Sequence, residues 1–103
     1  MAKYLFTYHG GAGMPETQEE TDRVMAAWGA WFGAIGAAVV DGGNPTGGVK
    51  SVTSGGVADS GSSGITGYGV FEAASHDAAV ELAKGCPVLT GGGTVEVHET
   101  IQM

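Results

Sequence analysis

Residues 17–39 read TQEETDRVMAAWGAWFGAIGAAV, and the fold follows from how this stretch is read. Val24, Met25, Trp28, Trp31, Phe32, Ile35 and Val39 recur at steps of one, three, three, one, three and four. That spacing is the stripe of a 3.6-residue period, which predicts an amphipathic helix with a heavy apolar face. Pro15 breaks what precedes it. Thr17 and Glu20 have the spacing of a capping box, in which each side chain satisfies the other's free backbone N–H. The rest of the chain has to supply a surface for the stripe.

Working outward, Tyr4 to Tyr8 is aromatic and β-forming and predicts a first strand, apolar on both faces except at Thr7. His9 ends it, and Gly10-Gly11-Ala12-Gly13 turns the chain. Beyond the helix, which should fray near Gly36, Ala38-Val39-Val40 runs into the turn residues Asp41-Gly42-Gly43-Asn44-Pro45. Residues 46–66 read as a variable Gly/Ser-rich loop or a short hairpin, with Val49 to Thr53 able to form an edge strand that Gly55-Gly56 returns through Val57-Ala58. Tyr68 to Ala73 predicts another strand. Ser75 is placed to cap a second helix with Asp77 in its first turn. Gly85 would end that helix in the left-handed conformation, before Pro87. Thr94 to Gln102 alternates as a last strand, with Val95, Val97 and Ile101 on one face and Glu96, His98 and Thr100 on the other.

At 103 residues the chain has room for one domain, 1–103. The predicted class is α+β: a ferredoxin-like βαββαβ antiparallel sheet with two helices on one face. The opposite face, expected to carry aromatics from strand one, needs a cover, and a second copy of the chain supplies it, so a homodimer is expected.

Composition narrows the function classes. Net charge is −7, and Lys3, Arg23, Lys50 and Lys84 are the only cations. Without a Lys/Arg cluster, nucleic acid and anionic membrane are not expected partners. One cysteine, Cys86, excludes an internal disulfide framework. With no signal peptide or apolar span in the sequence, a reducing, cytoplasmic location is the expectation.

The glycine run after strand one lacks the third glycine of a dinucleotide fingerprint, and Glu16, Glu19 and Glu20 would repel phosphate. No Gly-x-Ser-x-Gly elbow occurs, and Cys86 has no basic neighbour to activate it. Three histidines 67 and 22 residues apart, with no His-x-His or Cys-x-x-Cys, give no metal signal. No cofactor is expected.

The candidate catalytic residues are His9, Asp41 and His98. His9 stands at a strand end before a glycine loop, where an imidazole can act as general acid or base, or simply bond a loop carbonyl. Asp41 can orient an imidazole or stabilise an Asx turn. His98 lies on the polar face of the last strand, flanked by Glu96 and Thr100. Paired with His9 or Asp41, it would make a polar spot in an apolar cavity, the anatomy of a small-molecule site; the alternative is an exposed edge histidine. Tyr8, Asn44, Tyr68 and Trp28 are the candidate pocket residues, and His76 reads as solvated. Two function classes remain: a small-molecule-binding homodimer with His-assisted proton-transfer or lyase-type chemistry, and a non-catalytic dimerisation or protein-interaction module.

Tyr4-Leu5-Phe6-Thr7-Tyr8-His9-Gly10, the tryptophan helix, Val40-Asp41-Gly42-Gly43, Gly67-Tyr68, Glu72-Ala73 and the run from Ala78-Ala79-Val80-Glu81 to Gly91-Gly92-Gly93-Thr94-Val95-Glu96-Val97 resemble the YCII-related family, and within it the DGPF-type branch. The resemblance implies a dimeric α+β barrel, two protomers packed sheet to sheet around a cavity. Some relatives carry a proposed His–Asp pair with its histidine on helix one, where this chain has Met25 and Ala26. The region matching the DGPF motif is Asp59-Ser60-Gly61-Ser62. The resemblance therefore carries over fold and dimer, and no catalytic residue.

Overall fold

The computed structural model describes residues 2–11 and 15–102. Six strands, β1 (Ala2–His9), β2 (Val39–Asp41), β3 (Ser51–Thr53), β4 (Gly56–Ala58), β5 (Ile65–Ala73) and β6 (Thr94–Glu99), are joined by two helices, α1 (Gln18–Ile35) and α2 (His76–Ala83). Four strands form one antiparallel sheet in the order β2-β5-β1-β6, and β3 and β4 pair only with each other. Both helices lie on one face of the larger sheet. The Trp31 ring of α1 stands 5.4 Å from Phe71 and 6.5 Å from Phe6, and His76 at the start of α2 stands 5.3 Å from Tyr4.

The side-chain period of two builds this core. Tyr4, Phe6 and Tyr8 all point under the helices and are buried. Opposite them on β5 stand Phe71, Gly69 and Gly67. Glycine is a poor strand residue unless something must approach closely. Here aromatic rings fill that space: a Cβ on Gly69 would sit 2.7 Å from the Phe71 ring, and one on Gly67 would sit 3.2 Å from the Tyr8 ring. Ala79, Ala83 and Cys86 complete the buried layer.

Both helix N-termini are capped as their sequences predict. The Thr17 hydroxyl accepts from Glu20 N–H at 3.1 Å, and the Ser75 hydroxyl accepts from Ala78 N–H at 3.1 Å. The capping box is only half made, because the Glu20 carboxylate takes the N–H of Glu16 (3.0 Å). Helix α1 stops at Ile35 with Gly36 at φ +51°. Gly85 is not left-handed; Lys84 ends α2 in the right-handed region, and the missing Gly85 side chain instead makes room for Trp31, whose Cδ1 lies 3.2 Å from where a Cβ would be. The glycine run after β1 is described only as far as Gly11; Ala12, Gly13 and Met14 lie outside the described residues.

Several expectations are corrected here. No closed α+β barrel is found; the expected βαββαβ order holds for the larger sheet alone, as β1-α1-β2-β5-α2-β6, with the hairpin β3–β4 inserted between β2 and β5. The described residues form six strands in two sheets, and the larger sheet is open, with β2 and β6 as its edges among those residues. The physical reason is strand supply. Residues 51–58 pair only with each other and add no strand to the larger sheet, and four strands are too few to close on themselves within one chain. The bare face does not carry the aromatics of strand one; it carries Leu5, Thr7 and His9, the alternate residues. The front of the helix stripe is also uncovered, since Val24 and Met25 are exposed. Ile101 falls beyond β6 and is exposed.

The result is a slab 44 × 42 × 20 Å, one sheet and one helix layer thick. Its accessible surface is 6871 Å², whereas a folded monomer of 10.3 kDa exposes about 5,350 Å². Its radius of gyration is 15.0 Å, against about 13 Å for a compact chain of this length. Among the described residues, no helix is long and apolar enough to cross a membrane.

Candidate functional site

The bare face gathers a polar cluster at one end of the sheet. In the β1–β6 ladder Thr7 lies directly opposite Glu96, and Leu5 opposite His98, so these four side chains share a face within cross-strand reach. A bulge between Tyr8 and His9 in the pairing with β5 sets His9 opposite Ile65, and bulges of this kind re-aim a side chain at a strand end. The Thr66 hydroxyl bonds to the Tyr8 and Gly10 carbonyls (3.2 and 3.3 Å) and pins the bulge.

The hydrogen bonds of His9 fix its tautomer. A backbone carbonyl only accepts, so the 2.9 Å contact with the Ser63 carbonyl requires a proton on His9 Nδ1. In the neutral ring Nε2 then carries the lone pair, and the Thr7 hydroxyl donates to it at 2.8 Å. His98 Nε2 is 3.2 Å from Glu96 Oε1 and 3.5 Å from Thr7 Oγ1. The same carboxylate oxygen lies 3.4 Å from His9 Nε2. Glu96 therefore stands between two imidazoles and can take a hydrogen bond from whichever is protonated. The His9 side chain is 19% exposed, while those of His98 and Glu96 are 52% and 56% exposed. This arrangement can receive a proton on His9 Nε2, turn the Thr7 hydroxyl to accept, and balance the imidazolium with Glu96.

An open concavity of about 560 Å³ lies over the cluster, with Leu5 and Ile65 as apolar lining and Glu99 and Thr100 at its edge. Among the described residues, no group of three His, Cys, Asp or Glu side chains is arranged to hold a metal ion.

Of the residues singled out from sequence, His9, His98 and Tyr68 share this face, Tyr68 lying opposite Thr7 on β5. Asp41 is elsewhere. It is on β2 at the far edge of the sheet, and its carboxylate accepts the Gly43 N–H at 2.8 Å, an Asx turn. Asn44 follows in the same turn; its carbonyl accepts the Tyr68 N–H, and its amide is 3.5 Å from the Tyr68 hydroxyl. Tyr8 and Trp28 are on the helix side, edge to face at 5.1 Å. His76 is not merely solvated: its ring bonds the Val97 carbonyl at 2.9 Å. Sequence reasoning did not single out Thr7, Glu96 or Ser63 as site residues. Thr7 was visible as the one polar residue of strand one and Glu96 as the flank of His98, whereas a backbone carbonyl leaves no sequence signal.

No family model matches this chain. No curated protein matches it either, so the likeness to YCII-related and DGPF-type domains rests on the quoted residues alone.

Two buried acids sit on the helix side. Burial pushes the Cys86 thiol up to about 11 and the Tyr8 phenol, whose oxygen has no hydrogen-bond partner among the described residues, well above its usual value. A thiol whose folded pKa lies above its unfolded value stabilises the fold below the unfolded pKa, and that contribution is lost as pH rises through the folded one. A shift of this size predicts a fall in unfolding free energy of about 2–3 kcal/mol between roughly pH 9 and 11, with Tyr8 steepening the upper end. Urea denaturation across this range, with Cys86→Ala as the comparison, measures it; a flat profile for the wild-type chain would contradict the burial of the thiol.

Proposed function

We propose that the bare sheet face binds a small molecule over His9 and His98, and that His9 moves a proton on it in a proton-transfer or lyase-type step. The observation that carries this reading is the fixed His9 tautomer: Nδ1–H is committed to the Ser63 carbonyl, and Nε2 meets Thr7 and Glu96 at the floor of the concavity. A base needs a lone pair held in place and a partner for the charge that forms, and both are present. Glu96 and Glu99 favour a neutral or cationic ligand over a carboxylate, and Leu5 and Ile65 suit an apolar portion. The protein would act as a homodimer, supported by about 1,500 Å² of surface beyond that of a compact monomer. A reducing, cytoplasmic setting suits the free thiol of Cys86. The same surplus of surface also supports a second reading, a non-catalytic interaction module.

A screen of small neutral and cationic carbonyl compounds against nitrogen-15-labelled protein tests the binding reading. Binders should shift the imidazole signals of His9 and His98, and His9→Ala should weaken them at least tenfold while lowering stability by no more than about 1 kcal/mol. Absence of any binder, or equal binding by His9→Ala, would leave the interaction-module reading.

A further inference from the structure

Between β2 and β5 the chain leaves the larger sheet and forms a separate hairpin arm. Its paired strands are β3 and β4, three residues to a strand, in which Val52 lies directly opposite Val57. These two valines are 77% and 68% exposed. A lone two-stranded hairpin is marginal in water, and an apolar cross-strand pair left wet makes it more so. Local bonds fix the base of the arm: Ser51 Oγ donates to the Ser60 carbonyl at 2.6 Å, and Lys50 pairs with Asp59 at 3.4 Å. Nothing in these bonds covers the valines.

Charge says what can cover them. Residues 42–66 contain one cation, Lys50, and one anion, Asp59, and are neutral within a chain of net charge −7. The arm can therefore approach a second copy without adding like-charge repulsion. Each copy also offers a matching surface. A groove of about 320 Å³ runs between α2 and β6, lined by Val80, Leu89, Val95 and Val97, with Lys84 at its edge. Leu89 is 41% exposed. The surplus of about 1,500 Å² per copy exceeds the roughly 800 Å² per partner of a standard stable interface.

We infer that the hairpin arm of one copy seats Val52 and Val57 in the α2–β6 groove of a second copy, reciprocally about a two-fold axis. The inference rests on the homodimer proposed above and adds the contact that makes it. Because the Ser63 carbonyl at the arm's end bonds His9, docking the arm also steadies the imidazole of the candidate site.

Size exclusion with light scattering at micromolar concentration tests it. The wild-type chain should have twice the 10.3 kDa chain mass. Val52→Asp and Leu89→Asp should each halve the mass and leave the near-ultraviolet tryptophan dichroism unchanged, since both positions are exposed in the single chain. Mild oxidation of Val52→Cys chains mixed with Leu89→Cys chains should give a disulfide-linked dimer that neither gives alone, and this readout holds even if an Asp variant folds poorly. A monomeric wild-type chain would overturn both the homodimer and the arm contact. A dimer that persists in either Asp variant, or a failed cross-link, would overturn the arm contact and leave the homodimer standing.

Discussion

Trp31→Ala is expected to destabilise the protein by about 3–5 kcal/mol, the loss typical of a large buried aromatic. Trp31 is the one buried residue of α1. Its ring packs against Phe32 (5.2 Å), Phe71 (5.4 Å) and Phe6 (6.5 Å), joining the helix to both central strands. Its Nε1–H donates to the Leu82 carbonyl at 3.0 Å and ties α1 to the end of α2. A single domain of this size holds only about 5–15 kcal/mol in all, so the variant should melt more than about 12 °C lower. Trp28 is half-buried and packs on Tyr8 and Trp31 from the rim, so Trp28→Ala should cost clearly less. Urea denaturation followed by far-ultraviolet dichroism gives both numbers. A Trp31→Ala loss below about 1 kcal/mol, or a larger loss at Trp28, would contradict this packing.

The second large effect should come from a single methyl group. Gly43 has φ +72°, and a Cβ there would overlap the carbonyl group of Tyr68. Neither backbone has room to retreat. The Tyr68 N–H bonds the Asn44 carbonyl at 3.3 Å, and the Gly43 N–H bonds Asp41 at 2.8 Å. Gly43→Ala must therefore separate the β2 turn from β5 and break these bonds, a loss of at least about 3 kcal/mol. Gly36→Ala supplies the comparison. Its φ is also positive, at +51°, but apart from its own chain neighbours and helix backbone no atom lies within 4 Å of the added carbon, so only the backbone strain of a side chain in that conformation remains, about 1–3 kcal/mol. Equal losses at the two positions would remove the steric argument.

What the sequence made legible follows from which effects are local. The Thr17 and Ser75 caps, the stop at Gly36 and the alternation of β6 depend on neighbours a few residues away, and all can be read from the chain. The face assignment of β1 was equally readable, because a period of two puts Tyr4, Phe6 and Tyr8 together, yet the expectation left aromatics on the bare side. Val24 and Met25 continue the helix stripe in sequence, but both are exposed, with no described residue covering that end of α1. Gly85 looked like a helix terminator and is instead a recess for an indole. The candidate site was the least legible part. Thr7 and His98 are 91 residues apart, and only the β1–β6 register brings them to 3.5 Å. Asp41 carried the same chemical promise as Glu96, and the strand order alone sends one to the far edge and the other between the imidazoles.

The bond from His9 to the Ser63 carbonyl spans 54 residues and joins the sheet to the end of a Gly/Ser-rich segment. Such segments gain and lose residues at little cost to a fold, because loop closure depends only weakly on length. A one-residue deletion just before Ile65 would withdraw that carbonyl and free the imidazole to exchange its tautomers, while every strand stayed in register. Acid–base character on the sheet is thereby adjustable from outside it, by the spacing of a loop whose side chains take no part in the chemistry.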